Sequence, residues 1–246
     1  MNRTIIITGA NNGIGLALSL ALLEMGDCVA ALDLSLENLT LTNSGLLARQ
    51  CDVTDPQKIR PVVDEMTRIW GGVDILINNA CLALFKPFVE RSLEDIRREF
   101  EVNYFGYLNM IEAVLPIMLK QKHGFIHNVS SGVGYTGMPG MTGYTSTKGA
   151  IESLTHTLSL ELADEGIIVN IIHPPLTRTK SASGFGVPPE MMADPIKVGR
   201  GLAKKIGSKK PYITSDFSTA LGLFANQHFP IAMSKLLSSM AKRAQT

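Results

Sequence analysis

The sequence predicts an α/β protein in which a mostly parallel, doubly wound sheet carries helices on both faces. Three observations predict it. Short β-branched runs without a polar face alternate with longer stretches of helical periodicity. A glycine-rich turn joins the first run to the first helical pattern. Gly9 to Gly15, Asp33, Asn78, Ser131 and Pro174 all follow predicted strands, so the topology gathers them at one edge of the sheet.

The 246 residues are 45% hydrophobic and 18% charged, with 22 glycines, which is ordinary material for one substantial core. No Pro/Ser-rich linker and no internal repeat divides them, so residues 1–246 read as one domain. A net charge of +1 speaks against a nucleic-acid partner but hides an asymmetry: residues 200–246 hold eight Lys/Arg and one acid, Asp216. Cys28, Cys51 and Cys81 lack metal-ligand spacing, which predicts no metal site and reduced thiols in a cytoplasmic setting. No run reaches the roughly 18 apolar residues a membrane-spanning helix needs, and the short apolar start fits a buried strand better than a signal peptide.

Arg3–Thr8 reads as a central strand, followed by Thr8-Gly9-Ala10-Asn11-Asn12-Gly13-Ile14-Gly15 and the apolar helical pattern Leu16 to Leu23. A strand, a glycine turn and a helix start make an anion site: glycine lets backbone approach phosphates, and free N–H groups and the helix dipole stabilise their charge. Cys28–Asp33 is the second strand, with Asp33 18 residues beyond Gly15. A carboxylate there suits ribose hydroxyls and repels a 2′-phosphate, favouring NAD over NADP; it also suits the cap of a helix over Ser35–Leu41.

Leu46–Val53 is the third strand, and Asp52 at its end, with Val53 beside it, is either an adenine contact or a simple cap. A helix from Pro56 to about Trp70 follows. Val73–Ile77 is the fourth strand, leading into Asn78-Asn79-Ala80-Cys81. One long helix, Leu93–Lys122, carries Asn103 among apolar neighbours. Gly124–Val129 is strand five, ending in Ser130-Ser131, and a helix beginning near Tyr144 runs to Gly166. Ile167–Ile172 is strand six, before His173-Pro174-Pro175. A helix over Pro195–Ile206 and a strand over Tyr212–Thr214 follow. Tyr144 and Lys148, four apart on one helix face, place an ammonium beside a phenol, and a neighbouring cation lowers a phenol's pKa toward general acid/base use.

Together these motifs resemble the short-chain dehydrogenase/reductase family, in its short single-domain branch, over roughly residues 3–200. The resemblance implies a Rossmann-type sheet of about seven strands and hydride transfer between NAD(H) and an alcohol or ketone. It implies that the loop Gly9, Asn11, Asn12, Gly13, Ile14 and Gly15 binds the cofactor, with Asp33, Asp52, Val53, Asn79 and Ala80. Ser131, thirteen residues before Tyr144, takes the position of the serine that binds the substrate oxygen. Tyr144 is the implied proton donor or acceptor, and Lys148 lowers its pKa and binds ribose. Asn103 holds a relay water. Pro174, Thr177 and Thr179 belong to the stretch under the nicotinamide, where Pro175 replaces the usual Gly; Cys81 likewise stands where Gly is usual. A homodimer through the helices near 93–122 and 144–164 is a further implication. The alternative is a nucleotide-binding regulatory protein of the same fold without turnover.

Residues 180–207 read as a lid region: Lys180–Asp194 is small and flexible at first, then apolar at Met191 and Met192, as suits a segment that closes over substrate. With Phe85, Met138 and Met141 at the other rim, the pocket is expected to be apolar and the substrate hydrophobic or lipid-like. The basic, amphipathic residues 215–246 are expected to lie on a membrane surface, to cover the cleft, or to pack in an interface.

Overall fold

A computed structural model describes residues 2–243. Its centre is a seven-stranded, wholly parallel sheet in the order β3-β2-β1-β4-β5-β6-β7. The strands are β1 (Thr4–Thr8), β2 (Cys28–Asp33), β3 (Leu46–Gln50), β4 (Ile75–Asn78), β5 (Gly124–Val129), β6 (Ile167–His173) and β7 (Tyr212–Thr214). The order turns around between β1 and β4, as expected, and opens a crevice there at the carboxyl ends of the strands.

The β-branched run of β1 is central because both its faces are covered. Ile5 and Ile7 pack with α1 (Gly13–Glu24) and α7 (Pro195–Ala203) on one side, and Ile6 packs with α2 (Pro56–Trp70) on the other. Each fully buried isoleucine contributes roughly 1.5–3 kcal/mol. The third strand stops at Gln50, three residues short of the expected end, because Asp52 folds the chain into a turn by accepting from both the N–H and the hydroxyl of Thr54 at 2.9 and 2.8 Å.

The single helix expected over Leu93–Lys122 is three pieces: α3 (Leu93–Phe100), a π-turn (Glu101–Phe105) and α4 (Gly106–Gln121). By length and composition alone this stretch is long and apolar enough to cross a membrane. Tyr107, Met110, Ile111, Val114 and Met118 are buried in the chain's own core, so it is a core helix. After β5 come the one-turn α5 (Val133–Thr136) and α6 (Thr142–Glu161), and the chain closes with α8 (Phe217–His228) and α9 (Pro230–Arg243).

Candidate active site

A cleft of about 660 Å³ runs along the carboxyl ends of the strands, from the β1–α1 turn to the C-terminal helices. Gly9 and Gly13 hold the turn in left-handed conformations, φ 66° and 54°. A Cβ on Gly9 would lie 2.8 Å from the Ala80 Cα, and one on Gly15 would collide with the Gly9 carbonyl oxygen. Asn12 caps α1 without a side-chain hydrogen bond, so the first N–H groups of that helix are left for another acceptor.

Asp33 lines the cleft at the end of β2; its Oδ2 accepts from the Asn11 N–H at 2.9 Å and its Oδ1 from the Ser35 N–H at 3.3 Å. No helix follows over Ser35–Leu41, so the capping alternative falls. Asn11 does not line the cleft: it is buried, and its side-chain oxygen accepts from the Asn38 N–H at 2.8 Å. Asn12, Ile14, Asp52 and Val53 do line it, as do Asn79 and Ala80. Asn79 stitches β4 to β1 by donating to the carbonyls of Thr8 and Gly9 at 2.9 and 3.1 Å.

On the far side, Ser131, Tyr144 and Lys148 share the wall with Pro174, Pro175, Thr177 and Thr179. Ser130 lines it too, with its hydroxyl donating to the Lys148 carbonyl at 3.3 Å. The Asn103 side chain is fully buried and engaged: its Oδ1 accepts from the Leu82 N–H at 2.7 Å, and its Nδ2 donates to the Leu82 carbonyl at 2.8 Å and to Thr147 Oγ1 at 3.1 Å. It clamps the loop after β4 to the Tyr144 helix.

The electrostatics differ from the expected lowering of the phenol's pKa by Lys148. Burial pushes the Tyr144 phenol well above its ordinary value, nearby Cys81 and Glu99 add to this, and a hydrogen bond with Ser131 opposes it. The Lys148 ammonium is buried with its Nζ 5.6 Å from the Tyr144 ring centre, where it donates to the Val129 carbonyl at 2.8 Å. Burial likewise raises the Cys81 thiol, against the pull of Lys148. In the protein alone, then, the balance at the phenol favours its protonated form.

The wall along the segment after β6 is mostly apolar. Lys180–Phe185 and Pro189–Met191 form short 3-10 turns, and Ala182, Phe185, Val187 and Met191 face the cleft with Met138. Phe85 reaches it only indirectly, edge-on to Phe185 with ring centres 5.1 Å apart, and Met141 is buried beneath the rim that it was expected to line. Thr219, Leu223, Asn226 and Leu237 of α8 and α9 all line the cleft. These residues and His173, which also lines the cleft, were not singled out from sequence, since no motif links positions so far apart in the chain.

Residues 3–186 match the family model described as short chain dehydrogenase. The chain is 36% identical over 184 residues to the 3-oxoacyl-[acyl-carrier-protein] reductase FabG of Thermotoga maritima, covering 72% of this chain and 75% of that protein. It is 32% identical over 237 residues to the oxidoreductase UcpA of Salmonella typhimurium, covering 86% and 90%. Its fold superposes on a short-chain dehydrogenase from Streptomyces avermitilis with a TM-score of 0.81 at 25% identity, covering 100% and 98%. The chain belongs to the short-chain dehydrogenase family, oxidoreductases that act on CH–OH groups.

Proposed function

We propose that the chain is an NAD-dependent oxidoreductase interconverting an alcohol and a ketone on an apolar substrate, with Tyr144 as general acid/base. The observation that carries this reading is the placing of the Tyr144 phenol, with Ser131, on the wall of the same cleft that meets the glycine turn and Asp33. The uncapped start of α1 and the bare Gly9–Gly15 backbone suit a pyrophosphate, and Asp33 suits ribose hydroxyls better than a 2′-phosphate.

The dinucleotide, when bound, supplies or accepts the hydride. Ser131 holds the substrate oxygen and Tyr144 transfers the proton to or from it. A phenol kept protonated by burial suits the reducing direction, in which it donates. Lys148 holds positive charge behind the phenol, and Asn103 fixes the Leu82 loop against the Tyr144 helix. The mainly apolar residues around Met138, Phe185 and Met191 favour a hydrophobic substrate, admitted beneath the 180–207 segment acting as a lid.

We also propose a cytoplasmic homodimer: Cys28, Cys51 and Cys81 are free, and α6 leaves Leu160 80% exposed for a second subunit. Peripheral membrane contact is a second reading, favoured by the outward row of Phe217, Leu221 and Phe224 on α8, all exposed. Loss of vesicle sedimentation on truncation after Thr214 would support it, and failure of the intact chain to sediment with anionic vesicles would end it. The main reading is tested by titrating the protein with NADH and NADPH by fluorescence and then following NADH oxidation over a panel of apolar ketones. Turnover with NADH supports it; tight nucleotide binding without turnover on any ketone favours the regulatory alternative.

A further inference from the structure

The segment after β6 that lines the cleft is pinned at its neck. Thr177 and Ala193 form an isolated parallel bridge, in which the Arg178 N–H donates to the Ala193 carbonyl at 2.9 Å and the Ala193 N–H to the Leu176 carbonyl at 2.8 Å. Arg178 also meets Asp194 at 3.4 Å. Thr179, just inside the neck, packs its methyl group against Gly13, where a Cβ would sit 2.7 Å from Thr179 Cγ2. Beyond it the turns Lys180–Phe185 and Pro189–Met191 bond only locally. Among the described residues, no hydrogen bond or ion pair ties 180–192 to the rest of the protein apart from Thr179 beside them. A loop with bonded ends and an unbonded body opens at low cost.

The body of this segment rests on Phe85. Phe185 lines the cleft, and the Phe85 ring meets it edge-on, with centres 5.1 Å apart and planes at 67°. Gly184 lies against the same ring, where a Cβ would collide with it. Phe85 itself stands on fixed backbone. Leu84 before it donates its N–H to Glu99 Oε1 at 2.9 Å and accepts from Arg91 at its carbonyl, and Lys86 after it donates its N–H to the Gly140 carbonyl at 2.8 Å. One partner in the aromatic contact is therefore held through the buried Arg91–Glu99 pair, while the other rides on a loop without such a hold.

We propose that Phe85 is a positioning residue, the fixed post against which residues 180–192 close, and that ketone enters and product leaves when Gly184 and Phe185 lift off its ring. Phe85 is not one of the residues lining the cleft, so it acts through Phe185 and not by touching substrate. The aromatic contact biases the segment toward closure, and an apolar substrate beside Phe185 adds to that bias. The inference rests on the reading of this cleft as the substrate site and names what holds its lid.

Two substitutions and their combination test it. Phe85→Ala removes the post. Gly184→Ala, at a position whose φ is not left-handed, pushes a methyl group into the ring and props the segment open. Opening is read without turnover, as the rate of tryptic cleavage after the exposed Lys180 at low protease. Each single variant is expected to be cut about 2–10-fold faster than wild type, the range an aromatic pair supports. The double variant is expected to be cut no faster than Phe85→Ala alone, because the methyl group then has room. In NADH oxidation the ketone KM is expected to rise over the same range while kcat holds or rises, since product release is eased; damage at the catalytic centre lowers kcat instead. Wild-type cleavage and KM in Phe85→Ala, or effects of the two substitutions that add in full, overturn the post. Faster cleavage in a protein that reduces no ketone leaves the post standing and overturns the oxidoreductase reading; unchanged cleavage and KM with ketone turnover intact do the reverse.

Discussion

Lys148 Nζ lies 5.6 Å from the centre of the Tyr144 ring and donates to the Val129 carbonyl at 2.8 Å, so its charge sits behind the phenol ring with a hydrogen bond already made. Burial therefore wins at Tyr144, and the phenol pKa is raised. A bound oxidised nicotinamide is cationic and favours the phenolate. The difference in ultraviolet titration between wild type and Tyr144→Phe should show a phenol above its ordinary value in the free protein. On NAD binding it should fall by about 1–3 units. A phenol that titrates below about 10 before any nucleotide is added would contradict this balance.

Asp33 presents its carboxylate to the cleft while holding the N–H of Asn11 at 2.9 Å. An added 2′-phosphate would meet that charge with no basic side chain from Asn11, Asn12 or Leu34 to offset it. NADH should bind at least about tenfold more tightly than NADPH, and Asp33→Ser should narrow the gap chiefly by improving NADPH. Fluorescence titration of both nucleotides checks this; equal affinities in the wild type would refute it.

Arg91 and Glu99 form an ion pair with both side chains fully buried. Glu99 Oε1 also accepts from the Leu84 N–H at 2.9 Å, and Arg91 donates to the Gly140 carbonyl at 3.2 Å, so the pair ties the loop after β4 to the loop that enters the Tyr144 helix. Glu99→Ala leaves a guanidinium buried without its partner and should cost about 3–5 kcal/mol. Urea denaturation measures it, and a loss below about 1 kcal/mol would mean that the pair is solvated.

His127 is fully buried between two neighbours that specify its tautomer. Its Nε2 accepts from the Gly207 N–H at 3.1 Å, so Nδ1 carries the proton and donates to Asn170 Oδ1. Burial lowers its pKa to about 4. Since the folded pKa lies below the unfolded one, its stabilising contribution is complete above about pH 6.5 and is lost as the pH falls from there toward 4. The interval is worth roughly 3 kcal/mol. Denaturant melts at steps across this range should show that decline, and His127→Gln should flatten it; an unchanged slope in the variant would assign the acid sensitivity elsewhere.

Much of the fold was legible because β1, β4 and β6 are β-branched runs and the glycine turn marks where the crevice opens. What escaped has physical reasons. The π-turn at Glu101–Phe105 inserts into an unbroken helical pattern without any marker residue. Glu99 lies one turn before Asn103, on the same helix face, and that spacing was a usable sign of burial; its charge suggested solvent instead. Met141 was placed at the rim for its apolar character, but the turn into α6 buries it. His173 and Asn226 meet one cleft only because α8 folds back over α5, a tertiary contact with no local signature.

The most direct measurement is the rate of NADH oxidation by Tyr144→Phe relative to wild type on any ketone the wild type reduces, with NADH binding followed in parallel. Removing one hydroxyl should lower kcat by about 10²–10⁴-fold while NADH stays bound. A Tyr144→Phe protein that reduces the ketone at close to the wild-type rate would show that the proton comes from another group.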